Sequence, residues 1–67
     1  MQVLHDATSP QAKLILLYLE ERGPTPPSEI ASDLALHNLT VLSVLDTLGN
    51  RELVVRQDGR IQLTNDD

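Results

Sequence analysis

The sequence of 67 residues contains no cysteine, tryptophan or phenylalanine, and only one tyrosine. Without cysteine, neither a disulfide nor a thiolate metal site can form. With a single aromatic side chain, the core has to be built from leucine, isoleucine, valine and alanine. A chain this short forms at most one small domain, which can hardly build a walled catalytic pocket beside its core. We therefore expect a binding or interaction module rather than an enzyme, with no catalytic residue, no metal and no cofactor.

Long apolar runs and basic residues are also scarce. The longest apolar run, residues 14 to 19, has six residues and is too short to cross a membrane. The N-terminal residues lack the basic and apolar regions of a signal peptide, so a cytoplasmic location is expected. Ten acidic residues outweigh five basic ones, for a net charge of −5. This acidity has two interpretations that the sequence leaves open: a partner other than nucleic acid, or a halophile-like adaptation to a salty cytoplasm.

The hydrophobic pattern predicts three helices. The first begins at residues 8 to 10, where a Thr or Ser hydroxyl caps the helix and proline suits its first turn, and it stops at Gly23. A short second helix starts among the prolines of residues 25 to 29 and ends near residue 35. A third helix, capped by His37 or Asn38, ends at Gly49–Asn50, where a left-handed residue is expected. The positions assigned to the core are Ala12, Ile15, Leu16, Leu19, Ile30, Ala31, Leu34, Val41, Val44, Leu45 and Leu48.

A β-hairpin is predicted after the third helix. Residues 52 to 56 and 60 to 64 have strand character, and Asp58–Gly59 between them is a strong two-residue turn signal. If Gln57 pairs with Arg60, one face of the hairpin is apolar and belongs to the core. That face carries Val54, Ile61 and Leu63. The predicted fold is therefore mostly α with a small β-hairpin: three helices plus a two-stranded wing.

Four segments in this order resemble a known family. They are residues 16 to 24, residues 27 to 31, residues 40 to 41 with 45 to 48, and residues 53 to 56 with 58 to 64. Together they are similar to a winged helix-turn-helix domain of the MarR/ArsR-like type found in prokaryotic regulators. In that family the first loop often donates a third strand. Three prolines between residues 23 and 27 remove ladder donors, so we expect that strand to be a stub or absent.

The resemblance implies a DNA-binding transcriptional regulator, acting as a homodimer on double-stranded DNA. The third helix would lie in the major groove, and the wing would reach the phosphates or the minor groove. The DNA-binding positions implied in this way are Asn38, Thr40, Ser43, Thr47, Arg51, Arg56 and Arg60. For these residues the plainer interpretation is helix capping, surface polarity and solvated charge.

The sequence departs from the family at one point, because no lysine or arginine occurs from residue 23 to residue 50. Family members usually carry one on the exposed face of the third helix. The departure favours an alternative function, a protein–protein interaction module that does not bind DNA. Positions for a partner or dimer surface are Leu14, Leu17, Tyr18, Leu39 and Leu42. The plainer interpretations are that the first three contact the wing and the N-terminal tail, and that helix rotation buries one of the last two.

Overall fold

The computed structural model describes residues 9 to 64 of the chain. Three helices, α1 (Pro10–Arg22), α2 (Pro27–Leu34) and α3 (Asn38–Asn50), are followed by an antiparallel hairpin of β1 (Val54–Gln57) and β2 (Arg60–Leu63). The predicted fold class, mostly helical with a two-stranded hairpin, is confirmed. None of these helices is long and apolar enough to span a bilayer.

Local capping explains where two of the helices begin. The Ser9 hydroxyl oxygen accepts a hydrogen bond from the Ala12 N–H at 3.2 Å, and Pro10 occupies the first helical position. His37, rather than Asn38, caps α3, since its Nδ1 accepts from the Leu39 N–H at 3.3 Å. The alternative first cap, Thr8, lies outside the described residues. The prolines before α2 suit its first turn without any side-chain cap.

The end of α3 differs from the prediction. Gly49 and Asn50 both belong to the helix, and the left-handed residue is Glu52, with φ at 63°. The Leu53 N–H donates to the Leu48 carbonyl and the Glu52 N–H to the Gly49 carbonyl, both at 2.9 Å. This pair of bonds is a Schellman motif. Leu53 packs against the core that contains Leu48, so the hydrophobic contact across the motif sets the end of the helix.

The core is aliphatic and lies between the three helices and the inner face of the hairpin. Its buried members are Ala12, Ile15, Leu19, Ile30, Ala31, Val41, Leu45, Leu48, Val54 and Ile61. Seven partly buried side chains pack around them: Leu16, Tyr18, Leu34, Leu36, Val44, Leu53 and Leu63. All the positions that the sequence assigned to the core therefore lie in it or against it. One tyrosine at the margin adds the only aromatic surface, as the composition requires.

The hairpin has the predicted register. Val54 lies opposite Leu63 and Gln57 opposite Arg60, and both turn residues, Asp58 and Gly59, have positive φ values of 56° and 79°. Two positive φ values are typical of the tight turn that matches strand twist.

The expected third strand is a stub formed by one residue of the α1–α2 loop. Thr25 exchanges two backbone hydrogen bonds with Ile61, at 3.0 and 2.8 Å, in a single antiparallel bridge. Thr25 is only 3% exposed, and its hydroxyl donates to the Gly23 carbonyl at 2.8 Å. The bridge therefore ties the loop to the outer edge of β2 without leaving a buried polar group unpaired.

Replacing Glu52 by glycine should stabilise the protein. A left-handed conformation costs an L-residue about 1–2 kcal/mol and glycine almost nothing, while glycine loses more entropy on folding. We expect Glu52→Gly to raise the free energy of unfolding by roughly 1 kcal/mol, or the midpoint of thermal unfolding by about 4–8 °C. Glu52→Ala removes the same charge but keeps the strained backbone, so it should resemble the wild type. Equal stabilities of the glycine and alanine variants would contradict a strained position at residue 52.

Candidate nucleic-acid interface

α3 presents to solvent the side that lies opposite its buried residues. With 3.6 residues per turn, the outermost stripe consists of Leu39, Ser43, Asp46 and Asn50, all of them exposed. The stripe therefore combines one apolar side chain, two neutral polar ones and one carboxylate. Asn50 is a candidate that sequence reasoning missed, because the helix was expected to stop there.

The four polar positions implied by the family resemblance do not share one face of α3. Only Ser43 belongs to the outer stripe. Thr40 and Thr47 lie on one flank, where Thr40 is partly buried and the Thr47 hydroxyl donates to the Ser43 carbonyl at 3.3 Å. Asn38 projects from the first turn toward the opposite flank, the side that also carries Leu42. A flat ligand lying along the outer stripe would thus meet Ser43 first.

Three of the four arginines lie at the end of α3 and in the hairpin, and all three are exposed. Arg51 is the last residue of the helical turn that ends α3. Arg56 faces Ile61 in the register and therefore lies on the inner face of the hairpin, whereas Arg60 faces Gln57 and lies on the outer face. Within residues 9 to 64, none of these three side chains has a carboxylate within 4.0 Å.

A groove of about 320 Å³ separates α3 from β1. Leu42 and Asp46 line it from the helix, while Val55 and Arg56 line it from the strand. Its floor reaches the buried side chains of Val54 and Ile61. The groove therefore has an apolar floor, with one cation and one anion on opposite walls.

The carboxylates of α2 lie in a separate cluster. Arg22 at the end of α1 forms ion pairs with Glu29 at 3.2 Å and with Asp33 at 3.1 Å. Residues 23 to 50 contain three carboxylates and no lysine or arginine, for a net charge of −3. Two of these carboxylates, Glu29 and Asp33, form ion pairs with Arg22. Among residues 9 to 64, the third carboxylate, Asp46 on the exposed face of α3, has no cationic partner.

Tyr18 belongs to the same cluster. Its hydroxyl donates to Asp33 Oδ2 at 2.5 Å, and the Arg22 guanidinium lies over its ring at 5.4 Å from the centroid. Partial burial raises the pKa of Tyr18, the hydrogen bond to Asp33 raises it further, and the nearby Arg22 acts in the opposite direction. The cluster joins the end of α1 to α2 at the surface, beside the core contacts of Ile30 and Ala31 that hold the short helix.

Four of the five residues considered for a partner surface are exposed. Leu39 and Leu42 are 70% and 46% exposed, so the interpretation that helix rotation buries one of them is wrong. Leu14 and Leu17 on α1 are 42% and 55% exposed, although the N-terminal tail considered as their cover lies outside the described residues. Tyr18 is partly buried in the cluster with Arg22.

Metal binding was tested on the described part of the chain. Within residues 9 to 64, no three histidine, aspartate or glutamate side chains form a group that could hold a metal ion. His37 caps α3, and His5, the other histidine, lies outside the described residues.

Comparison with known protein families, with characterised proteins and with solved structures gives no significant match for this chain. The functional assignment therefore depends on the positions and the chemistry of the side chains described above.

The single tyrosine allows the α1–α2 cluster to be tested by titration. We expect Tyr18 to ionise above the usual value of 10.0, because burial and the bond to Asp33 both disfavour the phenolate. Since the folded pKa is the higher one, the corresponding stability is complete below pH 10 and is lost as the pH rises through the folded value.

Ultraviolet absorbance of the phenolate measures this midpoint. Asp33→Asn should lower the pKa of Tyr18 without restoring its ordinary value, because partial burial, its main cause, remains. Asp46→Asn removes the same charge from α3 and should leave the midpoint unchanged. Equal midpoints in wild type and Asp33→Asn would show that the hydrogen bond does not form.

Proposed function

We propose that this chain is a winged helix-turn-helix module of the MarR/ArsR-like type, a cytoplasmic transcriptional regulator that binds double-stranded DNA as a homodimer. The proposal depends chiefly on one observation, the positions of Arg51, Arg56 and Arg60. These exposed arginines have no carboxylate partner within the described residues and lie at the end of α3 and in the hairpin. Arg22, the remaining arginine, is held by two carboxylates of α2 and lies in a separate cluster.

Phosphate contacts would supply most of the affinity in this proposal. If each of the three arginines neutralises one phosphate, a dimer makes about six contacts, and the slope of log K against log salt is about −5. Affinity would then fall steeply between dilute and molar salt, because a Debye length of about 3 Å at 1 M screens exposed charges. Contacts of this kind position a protein on the duplex but do not read its sequence.

Base readout by α3 would depend on few groups. Ser43 and Asn50 can form hydrogen bonds to base edges, and Asn is suited to adenine. Asp46 can accept a hydrogen bond from the amino group of cytosine, and the Leu39 side chain can contact a thymine methyl. The outer stripe of α3 therefore has groups for the edges of adenine, cytosine and thymine, and no arginine or lysine for the edge of guanine.

An NMR titration with mixed-sequence duplex DNA tests the proposal directly. At about 0.1 M KCl we expect backbone amide shifts along the outer stripe of α3 and around Arg56 and Arg60, and at about 1 M KCl these shifts should weaken. The amides of the cluster around Arg22 should not respond. If a folded protein shows no shifts at either salt concentration, general affinity for duplex DNA is ruled out.

Arg56→Ala should reduce affinity for all duplex sequences alike. The loss of one phosphate contact should make the slope of log K against log salt concentration less negative by about one for each protomer. Lys13→Ala is the matched control, because Lys13 is an exposed cation on α1, far from the hairpin in the chain. Fluorescence anisotropy with a labelled duplex over a range of KCl concentrations measures both slopes. If both variants change the slope equally, net charge and not the hairpin determines binding.

A second function, protein–protein interaction without DNA binding, is favoured by the exposure of two leucines on α3. Leu39 is 70% and Leu42 46% exposed, and Asp46 lies beside them on the outer stripe. Apolar side chains next to a carboxylate suit the centre and margin of a protein interface better than a polyanionic surface.

Leu39→Asp tests this second function. Because Leu39 is exposed, the variant should keep its thermal stability while losing the protein partner that the wild type retains from an extract of the source cells. Gln11→Asp adds the same charge at an exposed position of α1 that belongs to no predicted partner surface, and it should retain the partner. Quantitative mass spectrometry of the retained proteins makes the comparison. An unchanged partner in the Leu39→Asp sample would contradict the interaction surface.

A further inference from the structure

The two edges of the hairpin differ in their backbone hydrogen bonding. Ile61 of β2 directs both its N–H and its carbonyl to Thr25, away from β1. In an antiparallel ladder, opposite residues either exchange both bonds with each other or both point outward. Arg56 lies opposite Ile61, so its own N–H and carbonyl point away from β2, and those of Val54 do the same two residues earlier. The same alternation continues at both ends of the hairpin. Gln57 and Arg60 flank the two-residue turn, and at the other end the Thr64 N–H donates to the Leu53 carbonyl at 2.9 Å.

The outer edge of β1 is consequently open. Within residues 9 to 64, no backbone or side-chain group accepts from or donates to the outward-facing backbone groups of Val54 and Arg56. β2 is covered at Ile61 by the Thr25 bridge, so the hairpin offers a strand-pairing edge along β1. Natural proteins usually cover or interrupt such an edge, since it is a template for another strand.

The groove between α3 and β1 runs along this open edge. Its volume of about 320 Å³ lies at the lower end of the range for ligand sites and suits one or two side chains. Its apolar floor and the exposed rims at Leu42 and Val55, 46% and 41% exposed, suit an aliphatic side chain. A strand added to β1 would direct every second side chain toward α3 and hence into the groove.

Charge restricts what this strand can be. Arg56, on the β1 wall, has no carboxylate within 4.0 Å among residues 9 to 64 and would pair with an acidic residue of the incoming strand. Asp46, on the α3 wall, disfavours a segment that is acidic throughout. The complementary segment therefore carries its carboxylate beside Arg56 and an aliphatic side chain in the groove, two positions apart because both face α3.

We propose that the outer edge of β1 is a docking site for an extended segment of a partner protein, with an aliphatic and an acidic residue two positions apart. The segment adds to the sheet as a strand and places its aliphatic side chain against α3. This inference goes beyond the proposed DNA binding and does not require it. Because Arg56 serves both surfaces, a docked segment competes with a duplex for that side chain.

Size distinguishes a peptide segment from a second copy of the chain at this edge. β1 has four residues, and a stable interface between two folded partners needs about 800 Å² from each. A four-residue edge with a groove for one or two side chains falls well short of that area. It matches the main-chain pairing and the alternate-side-chain pockets by which domains bind extended peptides.

The probe for this site is a blocked pentapeptide with valine at its second position, glutamate at its fourth and threonine elsewhere, titrated into isotope-labelled protein at up to about millimolar concentration. We expect amide exchange to slow at Val54 and Arg56, whose N–H groups face outward. Exchange at Val55 and Gln57 should change little, because their N–H groups already face β2. A peptide that is N-methylated at the edge-facing residues cannot pair and should not bind, whatever the state of the protein.

Two variants at residue 56 separate hydrogen bonding from charge. Arg56→Pro removes an outward N–H that the hairpin does not use, a change that edge strands tolerate, and should weaken peptide binding at least fivefold. Arg56→Gln keeps the N–H and removes the charge, so binding should fall about two- to fivefold while the alternating exchange pattern persists.

Three results would overturn the docking site. The first is the absence of amide shifts with the peptide at millimolar concentration. The second is equal binding of the N-methylated peptide. The third is slowed exchange at Val54 and Arg56 that depends on protein concentration without peptide, since the edge would then be occupied by a second copy of the chain.

Discussion

Two hydrogen bonds between Thr25 and Ile61 hold the hairpin against the helices, and the surface of the protein depends on them. They use the N–H and the carbonyl of Ile61 that point away from β1, and Arg56 opposite it faces outward in the same way. They also turn the Ile61 side chain into the core, where it is 4% exposed, so the inner face of the hairpin closes on α3. The turn at Asp58–Gly59 sets the register, and this bridge then holds the hairpin so that Arg56 lies on the wall of the groove beside α3. Among residues 9 to 64 the other edge of the hairpin, that of β1, stays open.

Short-range patterns in the sequence predict much of this fold because the turns and helix caps are formed by residues that are neighbours in the chain. The strand register follows from the Asp58–Gly59 turn and a period of two, and Ser9 with Pro10 determines where α1 begins. The end of α3 could not be predicted in the same way. Glycine at residue 49 has the best local propensity for a left-handed exit, but the contact of Leu53 with the core extends the helix and forces Glu52 into that conformation.

The candidate site could be predicted only as a set of residues, and not as an arrangement. Arg56 and Arg60 are four positions apart, yet the hairpin places them on opposite faces, one toward α3 and one toward solvent. The pairing of Arg22 with Glu29 and Asp33 depends on the packing of α1 against α2, which no local pattern encodes. That pairing changes the meaning of the acidic composition, because of the three carboxylates in residues 23 to 50 it leaves Asp46 alone without a cationic partner in the described part of the chain.

The salt concentration determines the relative strength of ionic and apolar contacts at this surface. Exposed arginine–phosphate contacts weaken as ionic strength rises, whereas burial of leucine and valine is not screened and strengthens in solutions of strongly excluded salts. The surface around α3 contains both kinds, with Arg56 on the groove wall and Leu39 and Leu42 exposed beside it. In dilute salt the proposed phosphate contacts of the arginines would dominate. In molar salt the proposed partner that buries the leucines and pairs with the edge of β1 would be favoured, because backbone hydrogen bonds in a desolvated strand pair depend little on ionic strength.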